Sequence, residues 1–464
     1  MTLKPVAGGN SICQTPMIEN PNNNPLFESV RQAMGLNTNI TEEVPVRLPP
    51  RFSVETVRDQ VPSWLLDAIC DSHGKTKLAQ FFQKVEVAEK KRLAILMAPQ
   101  EMRSGRTVDF SICAGLEKGM KNRYNHVWPF DKTRVKIEGC EDGEDDYINA
   151  SFLQPPFGNR SYIATQGPLP STFEDFWKIV WEQGSRVIVM LTREYEAGRI
   201  KCHRYWPTSE DPVMELGPLR VTFSSDRQPD PTNDTIVVRQ VYLSNLHCPD
   251  EKRRMITQVQ YTGWPDFGVP ETPLEVLQVV QLANDHNIPA SAGPMVVHCS
   301  AGCGRTGAFC VIDSILAELK HRPELKLLRE RSPSSLSASM SQTASFGKSI
   351  SNERVLNAMG RYFQPKEESA VSDVVFATVT RFREQRLSMV QCLRQYVFCY
   401  EAILWHLAIG AAREQGRTIQ IPFKTTGLST PLKAYPVGTV PSHASLSRGN
   451  APVTTSNEEF SFFG

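Results

Sequence analysis

Ten consecutive residues carry the strongest chemical signal in this chain: His298-Cys299-Ser300-Ala301-Gly302-Cys303-Gly304-Arg305-Thr306-Gly307. An apolar run at 295–298 leads into them and a helical pattern at 308–320 follows, so the spacing predicts a strand, a tight turn and a helix. Gly302, Gly304 and Gly307 let the backbone curl until successive amide hydrogens point inward, and the helix adds the positive end of its dipole. Such a cradle suits a tetrahedral dianion. Cys299 at its mouth would feel the same field, which favours thiolate over thiol and lowers the pKa below the ordinary ~8.5. Arg305 can lay a planar fork across two oxygens of a transferring phosphoryl group, and Thr306 can hydrogen-bond the sulfur and help it leave. An isolated cysteine is more often a packed core residue; a cysteine and an arginine bracketing a glycine-bearing turn reverse that reading.

The rest of the chain must position this loop. With 464 residues it exceeds the usual range of one domain, and 51 Lys and Arg against 50 Asp and Glu leave a net charge of +1, which carries no global signal for nucleic acid or an anionic membrane. Anion binding must then be local. The eleven cysteines show no CxxC spacing of a zinc or redox site and read as reduced thiols in a cytoplasmic protein, with no metal or other cofactor. No signal-peptide core opens the chain, and the apolar stretch 396–412 is broken by Glu401 and His406 and falls short of the ~20 residues of a membrane span, so a buried helix is expected there.

Residues 1–60, rich in Asn, Pro and Thr, read as a disordered arm. Residues 61–105 read as a helical extension of two short amphipathic helices docked on the following domain, since Leu78, Phe81, Phe82, Val85 and Ala88 recur at helical steps and Gly74 interrupts them. The run Lys90-Lys91-Arg92 is read as a solvated basic edge, with a kinase-docking peptide as the weaker alternative. The domain itself is placed at 106–413. Strand patterns at 147–152, 162–165, 187–192, 219–223, 235–243, 255–261 and 295–298, with helical ones at 172–183, 308–320, 372–385 and 391–412, predict an α/β or α+β fold with one large twisted mixed sheet flanked by helices. A Ser-rich stretch within about 323–370 reads as a mobile insertion, and 414–464 as a disordered tail.

The string HCSAGCGRTG resembles the signature of the classical protein-tyrosine phosphatases, non-receptor branch, and further blocks match that family in order over about residues 110–412. These are Lys121-Asn122-Arg123-Tyr124, Asp146-Tyr147-Ile148-Asn149-Ala150-Ser151, Tyr162 to Pro168, Trp264-Pro265-Asp266, and Gln391 with Gln395. The resemblance implies hydrolysis of phosphotyrosine in proteins through a cysteinyl phosphate, with signalling kinases, including mitogen-activated kinases, among the partners. It implies Cys299 as nucleophile, Arg305 and the loop residues 300–304 as phosphate ligands, Asp266 as general acid, Gln391 and Gln395 as water-positioning residues and Tyr124 as the wall that stacks on the substrate ring. Glu196 and Lys201 are then supports, Glu196 bracing Arg305, and His298 supports the loop. Gly263 and Gly268 flank Asp266 as candidate pivots.

Three departures accompany the match. The family usually carries an acidic residue two places after the recognition tyrosine, where this chain has Asn125 and His126; Cys392 stands where threonine is common; and Cys303 could pair with Cys299 or point into the core. Two rivals to the reading are a dual-specificity phosphatase and an inactive phosphotyrosine-binding scaffold.

Overall fold

The computed structural model describes residues 43–49, 61–70, 73–97, 110–138, 145–229, 234–265, 268–288, 292–321 and 373–414. Most of the expected N-terminal arm, the Ser-rich insertion, the tail beyond 414 and the candidate acid Asp266 therefore lie outside the described residues.

Two helices, α1 (Ser63–Cys70) and α2 (Gly74–Met97), come first, and the short α3 (Cys113–Glu117) follows. Then β1 (Arg134–Lys136), β2 (Tyr147–Leu153) and β3 (Tyr162–Thr165) precede α4 (Phe173–Glu182) and β4 (Val187–Met190). A hairpin of β5 (Tyr195–Glu196) and β6 (Arg199–Ile200) leads to the meander β7 (Val213–Leu216), β8 (Leu219–Arg227), β9 (Ile236–Asn245) and β10 (Arg254–Tyr261). The chain continues through α5 (Leu274–His286), β11 (Met295–His298), α6 (Gly304–His321), α7 (Val374–Arg383) and α8 (Leu393–Glu414).

Nine strands form one mixed sheet in the order β1-β2-β3-β11-β4-β10-β9-β8-β7. The pairs β3/β11, β11/β4 and β4/β10 are parallel, and the outer pairs antiparallel. Parallel strands need both faces covered, and their composition reflects it. In β4, Val187 and Val189 enter one core while Ile188 and Met190 enter the other; in β11, Met295 and Val297 face the first and Val296 the second. The first core is closed by α1, α2, α5, α6, α7 and α8, and the second by Phe176, Trp177 and Val180 of α4. Strand β11 thus runs inside the sheet between β3 and β4 and delivers its C-terminal end, with the Cys299 loop, between two fixed neighbours.

Several elements differ from the sequence-based expectation. The two N-terminal helices are there, but α2 has 24 residues and is not short. Trp64, Leu65, Leu78, Phe82 and Val85 belong to the same core as β11 and α6, so α1 and α2 are part of that core. Arg92 lies with its guanidinium over the Phe110 ring at 5.5 Å and donates to the Arg383 carbonyl at 3.3 Å, which ties it to the fold.

Residues 43–49, expected within a solvated arm, lie against α8. The Arg47 amide and guanidinium donate to Glu401 at 2.8, 3.0 and 2.7 Å, and Nη1 and Nη2 reach the carbonyls of Glu271 and Pro270. Glu401 is fully buried and also takes Arg394 at 2.6 Å, while Trp405 Nε1 donates to the Arg47 carbonyl. A buried carboxylate must be met by donors, and this one recruits a segment more than 350 residues away in sequence. Arg47→Ala should lower the unfolding free energy by about 2 kcal/mol, the scale of hydrogen bonds to charged groups. Urea denaturation reads it, and an unchanged midpoint would contradict the anchoring role.

Candidate active site

The Cys299 loop is held from behind. The Ser300 carbonyl accepts from Gly167 N at 2.9 Å, and Arg386, fully buried, donates to the carbonyls of Ala301 at 3.0 Å and Gly302 at 2.8 Å. The same guanidinium reaches Asn149 Oδ1 and Ser151 Oγ on β2. With its carbonyls fixed outward, the turn directs amides toward the sulfur: the Cys303 and Thr306 N–H groups both hydrogen-bond to Cys299. Burial alone would raise the Cys299 pKa, but the Arg305 charge, the Thr306 hydroxyl and these two amides outweigh it and leave the thiol below its ordinary value. Thr306 Oγ1 is buried and finds no aligned hydrogen-bond partner among the described residues, so its hydroxyl bears on Cys299 by proximity.

The three loop glycines serve different ends. Gly302 alone has a left-handed φ, +71°, and a Cβ there would lie 2.1 Å from the Thr165 carbonyl oxygen, so this position requires glycine twice over. Gly304 and Gly307 sit inside α6 with no left-handed φ. A Cβ at 304 would meet Gln395 Oε1 at 2.8 Å, and one at 307 the Val390 nitrogen at 2.4 Å. They permit close packing of α6 against 389–395 and do not curl the chain, which corrects the sequence expectation for these two.

Arg305 and Glu196 form a bidentate pair, Nη1 to Oε1 at 2.7 Å and Nη2 to Oε2 at 2.6 Å, and Nη1 also donates to the Leu191 carbonyl. Both side chains are nearly buried. Burial would raise the Glu196 pKa, but Arg305 chiefly, with Thr192 Oγ1 and the Arg193 amide, keeps it lowered. The carboxylate reaches the site because β5 and β6 are joined by Ala197 and Gly198, both with positive φ (49° and 73°), the geometry of a tight two-residue hairpin turn. Lys201 follows β6, and its carbonyl accepts from Ser300 Oγ at 2.7 Å. That leaves Ser300 Oγ as acceptor for the Tyr124 hydroxyl at 2.8 Å.

The block before Tyr124 is an anchor residue by residue. Lys121 pairs with Asp145 and Asp175. Asn122 Oδ1 accepts from Tyr147 and Asn149, and Asn122 Nδ2 donates to the Gly115 carbonyl. Arg123 donates to the carbonyls of Gly167 and Pro168 at 2.7 Å each. Only Tyr124 is left to face the loop. Asn125 is exposed; His126 is half-buried, its ring 5.9 Å from that of Tyr124, and burial lowers its pKa.

His298 is fully buried. Its Nδ1 lies 2.9 Å from the Cys299 carbonyl, which can only accept, so Nδ1 carries the proton and Nε2 accepts from the Tyr205 hydroxyl at 2.7 Å. Tyr205 in turn accepts from Gln258 Nε2 at 2.8 Å. Burial pulls the His298 pKa down from 6.5 to about 4. The unfolded chain protonates this imidazole near pH ~6.5 and the folded one only below pH ~4, so its contribution is complete above the upper value and is lost as pH falls between the two, up to about 3 kcal/mol. Urea titrations across that window should show the loss in the wild type and less of it in His298→Gln; an equal loss in both would assign the acid sensitivity elsewhere.

Gln391 is exposed and Gln395 buried. Gln395 Oε1 accepts the Gln391 N–H at 3.0 Å, and both side chains flank Gly304, so Gln395 bears on the site through Gln391. Cys303 is fully buried, its thiol directed to the Ala301 carbonyl at 3.5 Å and pushed up to about 11 by burial. Cys299 and Cys303 are both free thiols. Trp264 is buried and its Nε1 donates to the Gly268 carbonyl at 3.0 Å. At Gly263 a Cβ would meet the Tyr261 ring at 2.7 Å, so packing explains that glycine.

Comparison with known proteins gives this geometry a family. The model of the family described as protein-tyrosine phosphatase matches residues 118–331 and 355–405, more than half of the chain and every site residue placed above. The chain belongs to the protein-tyrosine phosphatase family. Its catalytic-domain fold is shared with a solved structure of the human non-receptor type 18 protein tyrosine phosphatase, at 31% identity and a TM-score of 0.52, covering 72% of this chain and 96% of that one. The mouse tyrosine-protein phosphatase non-receptor type 18 is 43% identical over 197 residues, 42% of this chain and 41% of that protein. The human receptor-type tyrosine-protein phosphatase H is 40% identical over 211 residues, 45% of this chain and 18% of that protein. The match thus spans at most about two fifths of the length of these curated relatives. No helix among the described residues is long and apolar enough to cross a membrane.

Arg386, Tyr205 and Gln258 are the members of this site that the sequence reading missed. Nothing local marks them, because each is an ordinary polar residue whose burial is imposed by elements distant in the chain.

Proposed function

We propose that this phosphatase-family chain hydrolyses phosphotyrosine in proteins in two steps on Cys299. In the first, the Cys299 thiolate attacks phosphorus, the bond from phosphorus to the tyrosyl oxygen breaks, and Asp266 gives its proton to the departing phenolate. In the second, the ionised Asp266 takes a proton from water held by Gln391, the water oxygen attacks phosphorus, and the sulfur–phosphorus bond breaks to return thiolate and inorganic phosphate. Arg305 and the loop amides meet the charge on the transferring group in both steps.

The observation that carries this reading is the Cys299 thiol, lowered in pKa at the centre of an amide-lined turn, beside an arginine whose fork is already aligned by Glu196. Pre-alignment matters because the fork then needs no reorganisation as charge develops. Tyr124, fixed to Ser300 at one rim of the loop, supports an aryl phosphate over the shorter phosphoserine and phosphothreonine. Phosphorylated signalling kinases, including mitogen-activated kinases, in the cytoplasm are the proposed substrates.

Phosphate release from matched phosphotyrosine and phosphothreonine peptides tests this. A preference of about 10²-fold or more for phosphotyrosine is expected, the scale of a positioning effect. Comparable rates would favour a dual-specificity enzyme, and no release from either would favour a binding scaffold.

A further inference from the structure

Two carboxylates of α2 reach the segment that precedes Gln391. Glu86 and Glu89 are both buried, and between them lies Arg383, the last residue of α7, with no exposure at all. Arg383 Nη2 meets Glu86 Oε1 at 2.7 Å, and Nη1 lies 3.1 Å from Glu89 Oε1 without hydrogen-bond alignment. The same guanidinium donates from Nε to the Met389 carbonyl at 2.6 Å and from Nη2 to the Val390 carbonyl at 2.8 Å. Glu89 also accepts from the Ser388 amide at 3.2 Å and its hydroxyl at 3.3 Å. One short segment, 388–390, is therefore gripped along its whole length, at Ser388 by Glu89 of α2 and at Met389 and Val390 by Arg383 of α7, which Glu86 and Glu89 flank.

That segment needs gripping. Ser388 and Val390 have φ of +56° and +60°, and the left-handed region is disfavoured for any residue with a Cβ and more so for a β-branched one. Such conformations persist only where the surroundings over-determine them. The other side of the segment is the site: the Val390 amide donates to the Cys303 carbonyl at 3.3 Å, and its nitrogen sits where a Cβ on Gly307 would be. The next residue is Gln391, set against Gly304.

We propose that Glu89, with Glu86, is a positioning residue for the second step: from α2 it holds the left-handed Ser388 and, through Arg383, the left-handed Val390, and so sets where Gln391 lies relative to Cys299. The inference rests on the two-step reading above. It assigns α2 a larger part in hydrolysis of the phosphoenzyme than in its formation, since Gln391 follows the gripped segment directly, whereas the Cys299 turn is held chiefly by Arg386 and Gly167, and Arg305 by Glu196.

Pre-steady-state release of phenol from an aryl phosphate by the full chain tests it. Glu89→Gln should form the phosphoenzyme at the wild-type rate but hydrolyse it about 10-fold more slowly, giving a burst, a kcat lowered about 10-fold and a kcat/KM within about 2-fold of wild type. Adding Ser388→Gly, which accepts positive φ without strain, should restore much of kcat. If Glu89→Gln does not fold, Glu86→Gln, which leaves the Ser388 bonds intact, carries the same expectation of a burst. Loss of kcat and kcat/KM in equal measure, or no change in either, overturns the proposal. A wild-type protein with no turnover at all overturns the two-step reading itself.

Discussion

Replacing Cys299 by serine should lower turnover of a phosphotyrosine peptide by on the order of 10⁵-fold or more, the scale on which removing a covalent nucleophile disables a hydrolase. The reason lies in what the loop stabilises. Its amides, the Thr306 hydroxyl and the Arg305 charge act on Cys299 to favour thiolate, whereas a serine hydroxyl stays protonated at any pH the fold tolerates. The anion cradle survives the change, because Arg386, Gly167 and Gly302 shape it through the backbone. Phosphopeptide binding by Cys299→Ser should accordingly stay within about 10-fold of wild type, and calorimetric titration with a phosphotyrosine peptide measures it. Wild-type turnover in this variant would remove the nucleophile assignment.

The second large effect is expected at Asp266. Its conversion to alanine would remove the proposed proton donor to the leaving phenolate, and kcat should then fall by about 10²–10⁴-fold, the range of general acid catalysis. Two signatures separate this from generalised damage. The loss should shrink as the phenol becomes more acidic, since a good leaving group needs no proton. The pH profile should also change on one side only: activity rises with pH as Cys299 ionises and falls as the acid loses its proton, and Asp266→Ala should erase the falling limb while leaving the rising one. A uniform loss across leaving groups would assign the proton to another residue.

The legible part of this protein was what is written contiguously. Residues 298–307 announce an anion loop because strand, glycine-bearing turn and helix adjoin in sequence, and β4 and β11 are contiguous apolar runs. Helix α5 is legible too, since Val276, Val279, Val280 and Ala283 form its buried stripe at helical spacing, although it stands outside the helical patterns given above. Strands β1 and β7 are the two edges of the sheet and are partly exposed, so neither shows the continuous apolar run that marks β4 and β11. Arg383 and Arg386 were not legible for a different reason. On a helix end, arginines at that spacing read as a solvated edge, and only tertiary packing turns them inward, toward Glu86 and Glu89 in one case and the loop carbonyls in the other. Glu401 was visible as a charge interrupting an apolar helix, but its partner Arg47 lies in a stretch whose composition suggested a free arm. Long-range satisfaction of buried charge is the feature that composition and periodicity do not encode.

The central claim is that phosphate passes through the sulfur of Cys299. Acid quenching of the full chain in mid-turnover with a phosphotyrosine peptide, followed by proteolysis and mass spectrometry under conditions that preserve thiophosphates, addresses it directly. A cysteinyl phosphate requires one phosphoryl group on the peptide that contains Cys299, and none on the corresponding peptide of Cys299→Ser. Phosphate release without any phosphorylated Cys299 peptide, or the same label in the serine variant, would contradict it.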